Sequence, residues 1–249
     1  MTSTEPVPGD GGGPAAAPTT APATAPATAE LVADLRAALE AVADPERAEP
    51  MAAYMKHHFP FLGVPTPARR AAQKPTLDTL AGADGEAVLA LAEACWREPE
   101  RELQQVGADA LRRFVSVLEP HQLSRVGALV TTRAWWDTVD TLAIHTVGPL
   151  VAGHSDLVAV MDRWIEDPDR WLARTAILHQ LLWKADTDAQ RLFRYADRRA
   201  SDQDFFIRKA LGWALRQYAR TDPEAVWAFV DAQRDRLSAL TLREAQKHR

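Results

Sequence analysis

A block of helical sequence recurs along this chain at intervals close to 40 residues. Equivalent positions fall at Trp96, Trp136, Arg174 and Trp213, which lie 40, 38 and 39 residues apart. Around each of them apolar residues recur every three or four positions, as on one face of an α-helix, and strand-like alternation is missing. Helical pairs with a period near 40 are typical of HEAT and armadillo arrays. We therefore predict an all-α fold, a curved α-solenoid of HEAT-like repeats.

The N-terminal segment differs in composition from the rest of the chain. Residues 1–28 consist mainly of Pro, Ala, Thr and Gly. Such a segment has too little apolar surface to offset the entropy lost on ordering. We predict a disordered tail over 1–28 and a single HEAT-like-repeat domain over 29–249. In that domain the second helix of each pair should line the concave face, where equivalent residues of successive repeats meet.

The composition also narrows the classes of function. Cys95 is the single cysteine, which excludes a disulfide framework and favours a reducing, cytoplasmic setting. The histidines have no metal-ligand spacing, and the only glycine run lies in the tail, so neither a metal centre nor a phosphate-binding loop is expected. No apolar run approaches the roughly 18 residues of a membrane span, and the N-terminus lacks the pattern of a secretory signal.

Charge is distributed unevenly between the two parts of the chain. The formal net charge is −5. Residues 163–249 carry 17 Lys and Arg against 13 Asp and Glu, a balance of +4, which leaves −9 for residues 1–162. Binding to phosphates depends on where positive charge lies and not on its total. The sequence therefore permits a nucleic-acid partner.

Charged residues interrupt the apolar helical faces of three successive repeats. Asp140 lies one helical turn after Trp136 in an otherwise apolar stretch, whereas Asp137 is expected to be a capping or first-turn carboxylate. Charged side chains are seldom buried without a partner, so Asp140 either pairs with a basic residue or faces a functional cleft. On composition alone, a structural Asp–Arg pair between repeats remains an open alternative. The cations of the following repeats are Arg174 and then Lys209 and Arg216, which share a helix face with Trp213.

Longer blocks of sequence are similar to a known family. The pattern WWDxVD at residues 135–140 and the pattern FFIxKAxGWxLRxY at residues 205–218 are specific signals. On these blocks the chain resembles the DNA alkylation repair family of HEAT-like-repeat alkylpurine DNA glycosylases, in order from about Tyr54 to the C-terminus. Further matching stretches occur at residues 54–56, 59–64, 96–98 with 101–102, 171–180 and 240–247.

The resemblance implies a set of site residues drawn from several repeats. It identifies Asp140 as the catalytic carboxylate. The family usually has a second basic residue just before the Arg174 position, where this chain has Ala173. This difference is expected to weaken DNA binding. The remaining implied site residues are Trp136, Arg174 and Trp213, and the residues assigned to DNA contact are Arg216, Lys209 and Tyr54.

The implied activity is hydrolysis of the N-glycosidic bond of cationic N3- or N7-alkylated purines in double-stranded DNA. One fixed carboxylate suits this reaction, because the leaving base is already cationic and the sugar becomes oxocarbenium-like as the bond breaks. The resemblance further implies a monomer without metal or cofactor, associated with the nucleoid in a bacterial cell, that need not flip the damaged base into a pocket. A non-catalytic DNA-structure binder or a protein-interaction scaffold remains the alternative.

Overall fold

The computed structural model describes residues 1–2, 28–247 and 249. Within these residues all regular structure is helical and no strand occurs. The predicted tail lies outside the described residues except at its ends, and Thr28, its last residue, already begins the first helix. The α-helices are α1 (Thr28–Glu40), α2 (Pro45–Tyr54), α3 (Thr66–Asp78), α4 (Gly85–Arg97), α5 (Arg101–Arg113), α6 (Leu123–Thr131), α7 (Trp136–Leu142), α8 (Gly148–Gly153), α9 (Val158–Trp164), α10 (Arg170–Leu178), α11 (Ala189–Arg198), α12 (Phe205–Tyr218), α13 (Pro223–Ala232) and α14 (Ala239–Ala245).

The helices stack in two rows. Helices α3, α5, α7, α10, α12 and α14 form an inner row in which each helix packs against the next. Helices α1, α4, α6, α9, α11 and α13 form an outer row, and most of them pack against an inner helix of their own or a neighbouring repeat. Contacts between successive helices are more extensive in the inner row, so the stack curves with that row on its concave side. This architecture confirms the prediction of an all-α solenoid.

Aspartate side chains fix where many of these helices begin. Asp204, for example, accepts hydrogen bonds from the backbone N–H groups of Phe206 and Ile207, at 2.8 and 3.2 Å. Such a cap satisfies N–H groups that have no partner in the first turn, and this explains why α12 begins where it does. Side chains that cap other helices in the same way are Asp44, Asp84, Asp169, Asp188 and Asp222.

The apolar core runs along the whole stack between the two rows. One cluster of buried side chains extends from Val88 to Ala245, and a second extends from Leu31 to Ala110. Both clusters draw on α4 and α5, so the two clusters adjoin at these helices. Among the described residues, no helix combines the length and apolarity needed to cross a bilayer.

The inner helix that carries Trp136 and Asp140 contains a wider turn. Helix α7 passes into a π-helical turn at Ala143–Val147 and then directly into α8. Gly148 follows the π turn, and a Cβ atom there would lie 2.3 Å from the carbonyl oxygen of His179 at the end of α10. Single π turns within α-helices are frequent at functional sites. Here the turn begins three residues after Asp140.

Candidate active site

A bidentate ion pair joins Asp140 on α7 to Arg174 on α10. Arg174 donates from Nε to Oδ1 of Asp140 at 2.7 Å and from Nη2 to Oδ2 at 2.8 Å. The Asp140 side chain is 15 % exposed and that of Arg174 is 6 % exposed. Parallel hydrogen bonds of this kind fix the plane of a carboxylate as well as its position. Asp140 is therefore a fixed carboxylate that retains contact with solvent.

Arg174 also ties this pair to the next inner helix. Its Nη1 atom donates to the carbonyl oxygen of Phe206, in the first turn of α12, at 2.5 Å. One guanidinium thus connects α7, α10 and α12. Burial raises the pKa of the Asp140 carboxyl above its ordinary value, and the hydrogen bonds from Arg174 act against that shift.

The rings of Trp136 and Tyr54 meet at the edge of the concave face. Their centroids lie 6.0 Å apart with the planes at 86°, and Tyr54 is 69 % exposed. Just after Tyr54, which ends α2, the chain turns sharply, and Lys56 and His57 adopt left-handed φ angles of 58° and 55°. The turn also places the His58 ring 4.2 Å from the ring of the neighbouring Trp135. The structure therefore brings Tyr54, which the resemblance assigned to DNA contact, against Trp136.

Trp213 lies on α12, the helix whose Phe206 carbonyl accepts a hydrogen bond from Arg174. Its ring is half-buried against the main core cluster. The residue before it, Gly212, faces α14, where a Cβ atom would lie 2.4 Å from Cβ of Glu244 and 2.9 Å from the carbonyl oxygen of Thr241. The glycine allows α12 and α14 to approach closely, and this contact sets the position of the following tryptophan.

Glu244 on α14 binds both of the α12 cations that the resemblance assigned to DNA contact. Lys209 and Arg216 approach its carboxylate at 2.8 and 2.6 Å, and Lys247 approaches it at 3.1 Å. Hydrogen bonds from these cations, led by Lys209, lower the pKa of Glu244 to about 2. Lys209 and Arg216 keep 38 % and 21 % of their side-chain surface exposed. Their charge is therefore shared with Glu244, which the sequence analysis missed.

Two similar buried pairs connect the preceding inner helices. Asp137 accepts from Nε and Nη2 of the fully buried Arg101 at 3.1 and 2.5 Å, and Asp109 accepts from Nη2 of Arg69 at 3.0 Å. Asp137 does lie in the first turn of α7, as predicted, but its carboxylate binds Arg101 and does not cap the helix. The Asp140 pair thus belongs to a series of ion pairs between repeats, in agreement with the structural alternative considered above.

A signal in the sequence could have revealed this series. The partners on successive inner helices are separated by about one repeat: 36 residues from Arg101 to Asp137, 34 from Asp140 to Arg174 and 35 from Lys209 to Glu244. Opposite charges at that spacing on inner helices predict such pairs. Asp140 differs from Asp137 and Asp109 in its greater exposure, 15 % against 9 % for each of the others.

Comparisons with known proteins agree with this architecture. The family model described as DNA alkylation repair enzyme matches residues 35–248. A solved structure described as a predicted DNA alkylation repair enzyme from Enterococcus faecalis shares 33 % sequence identity with a TM-score of 0.77, covering 83 % of this chain and 96 % of that one. The structure of smu.31 from Streptococcus mutans UA159 is similar in fold, with 15 % identity and a TM-score of 0.55 over 70 % of this chain and 90 % of that one. A comparison with curated protein sequences returned no match. The chain therefore belongs to the DNA alkylation repair enzyme family.

Proposed function

We propose that this protein is a DNA glycosylase that releases cationic N3- and N7-alkylated purines from double-stranded DNA. The observation that carries the proposal is the Asp140 carboxylate, which is fixed by Arg174 and lies one helical turn from Trp136 on the inner row. Membership of the DNA alkylation repair enzyme family supports a DNA substrate and a repair role.

A single fixed carboxylate matches the chemical demand of this reaction. The alkylated purine already carries positive charge, so its departure needs no general acid. Positive charge develops instead on the deoxyribose, and a preorganised anion beside C1′ stabilises it and can orient the attacking water. Asp137, three residues earlier on α7, is bound by Arg101, and in this mechanism no general acid is required.

The residues around Asp140 suit a DNA backbone better than a base edge. The faces of Trp136 and Trp213 can pack on deoxyribose and attract a cationic sugar through their π systems. Arg174 uses three of its five donor N–H groups within the protein, which leaves two for a phosphate oxygen. Tyr54, exposed at the edge of Trp136, is in a position to contact the backbone beside the lesion.

Base release from methylated DNA tests the proposal directly. The full-length protein is incubated with methylated duplex DNA, and the freed bases are identified by chromatography. We expect 3-methyladenine and 7-methylguanine to appear, and duplexes that carry neutral lesions such as uracil or hypoxanthine to remain nearly intact. Tight binding to methylated duplex without release of any base would instead support the alternative of a non-catalytic DNA-structure binder.

A further inference from the structure

A cavity of about 230 Å³ lies between α10, α11 and α12, at the C-terminal ends of the two inner helices. Its apolar wall consists of four buried side chains from these helices and the turn after α10: Ile177, Leu181, Leu192 and Ala214. Sites for drug-sized ligands usually enclose about 300–1,000 Å³. This cavity therefore fits a small molecule or the end of a chain, and not a stretch of duplex. Neither Asp140 nor Arg174 lines it, so it is separate from the candidate active site.

The polar groups of this lining are largely unpaired. Gln180 is only 5 % exposed, and its Oε1 atom accepts from the backbone N–H of Asp188 at 2.8 Å. Its Nε2 amide has no hydrogen-bond partner in the described part of the chain and retains contact with solvent. Four further lining side chains likewise make no hydrogen bond there: Thr187, Gln217, Tyr218 and Thr221. Because most buried polar groups in proteins are paired, an almost buried amide that opens onto a cavity indicates a position where a polar ligand can bind.

The lining also carries two positive charges and no carboxylate. Lys184 and Arg220 follow the ends of α10 and α12, and neither forms an ion pair or a side-chain hydrogen bond among the residues that the structure describes. The C-terminal end of each helix offsets about half a charge, which leaves an excess of about one positive charge.

The carboxylates near the cavity do not cancel this excess. Asp188 is bound by the guanidinium of Arg191 and caps α11 through the N–H of the same residue at 2.9 Å. Asp222 caps α13 through the N–H of Ala225 at 3.0 Å. Asp186 is exposed and does not line the cavity, so solvent screens its charge. A lining rich in hydrogen-bond donors with an excess of positive charge suits an oxyanion.

We propose that this cavity binds a phosphate monoester through Lys184, Arg220 and the side-chain amide of Gln180. Such a group carries a charge of about −1.5 to −2 near neutral pH and presents three acceptor oxygens to the guanidinium, the ammonium and the amide. A carboxylate has one charge and two oxygens, whereas a phosphodiester within a strand has one charge and continues in both directions. Two sources supply a monoester: the phosphorylated end of a DNA strand and a free sugar phosphate. In either case the carbon body of the ligand would pack on the apolar wall.

The test titrates the full-length protein with ribose 5-phosphate by calorimetry, and ribose is the matched probe that lacks the phosphate. Lys184→Gln and Arg220→Gln each remove one cation from the lining, and both side chains are exposed without partners in the described residues, so the fold should be retained. The control is Arg234→Gln, which removes an exposed cation after α13 that does not line the cavity. In parallel, the affinity for a short duplex with 5′-phosphate ends is compared with that for the same duplex with 5′-hydroxyl ends.

We expect the wild type to bind a phosphate monoester in at least one of these forms and not to bind ribose. The affinity should be about tenfold or more lower in Lys184→Gln and in Arg220→Gln than in Arg234→Gln. A preference for the phosphorylated duplex that these two variants lose identifies a DNA end as the occupant. Binding of ribose 5-phosphate with equal affinity for the two duplexes identifies a free sugar phosphate.

Two results would overturn the proposal. One is a wild type that does not bind ribose 5-phosphate and binds both duplexes equally, and the other is an equal loss of affinity in all three variants. Neither titration involves base release, so the result is independent of the proposed glycosylase activity.

Discussion

Replacing Asp140 by Asn should separate the catalytic effect of this carboxylate from its structural effect. In the proposed mechanism the sugar cation lies about 4 Å from the carboxylate, on the side away from Arg174 and thus about 8 Å from the guanidinium. At an effective dielectric constant of about 20 the attraction to Asp140 amounts to about 4 kcal/mol and the repulsion from Arg174 to about 2 kcal/mol. Asp140→Asn removes the attraction and should lower the single-turnover rate of base release about a thousandfold.

The same change also disturbs the fold. It leaves Arg174, only 6 % exposed, without its counter-charge, and breaking a buried pair costs about 3–5 kcal/mol of stability. The asparagine carbonyl and the Phe206 carbonyl still accept from Arg174, so we expect the lower end of that range. Asp109→Asn is the matched control, because it breaks a comparable inner-row pair with Arg69, whose side chain is also 6 % exposed.

The assay is single-turnover release of 7-methylguanine with enzyme in excess, alongside thermal unfolding of each variant. We expect Asp109→Asn to lose comparable stability and to keep its rate within about tenfold of the wild type. Adding Arg174→Gln to Asp140→Asn removes the unopposed positive charge and should recover about thirtyfold in rate. The reasoning is refuted if Asp140→Asn releases base within tenfold of the wild type, or if the two Asn variants lose activity equally while remaining folded.

Other consequences can be measured separately. Burial raises the pKa of Asp140, and the anion is the reactive form. The rate of base release should therefore begin to fall, on acidification, at a pH above the ordinary pKa of an aspartate. A fall that begins only at or below that ordinary pKa would contradict this. If Lys209 and Arg216 each contact one phosphate, Ala at either position should reduce the slope of log affinity against log salt concentration by about 0.9. Glu244→Gln should strengthen DNA binding, because it frees both cations. Unchanged slopes would show that these residues do not contact phosphate. Gly212→Ala should destabilise the protein by about 1–3 kcal/mol in denaturant unfolding, because its Cβ would overlap α14, and an unchanged unfolding midpoint would argue against that close approach.

The sequence predicted the repeat architecture because helical periodicity and the interval near 40 residues are local, repeated signals. The FFIxKAxGWxLRxY block at residues 205–218 coincides with α12, which Asp204 caps. The π turn at Ala143–Val147 could not be predicted, because its residues continue the same apolar helical pattern. The turn packs against α10, and Gly148, the residue after it, lies close to the carbonyl oxygen of His179.

The site was only partly predictable for a similar reason. Reasoning from the residues left two possible roles for Asp140: it pairs with a basic residue, or it faces a functional cleft. In the structure it has a buried basic partner, Arg174, and its side chain also remains partly exposed. The contact between Tyr54 and Trp136 joins two helices that are far apart in the sequence, α2 and α7, and no periodic pattern predicts such a contact. Glu244 was missed because its spacing from Lys209 becomes informative only once the rows of helices are known.

The central claim is that Asp140 stabilises positive charge on the sugar. It is tested most directly by the affinity for two abasic duplexes, one containing a cationic pyrrolidine and the other a neutral tetrahydrofuran at the lesion site. We predict that the wild type binds the cationic duplex about thirtyfold more tightly, and that Asp140→Asn, unlike Asp109→Asn, loses this preference. Equal affinity of the wild type for the two duplexes, or an undiminished preference in Asp140→Asn, would contradict the account.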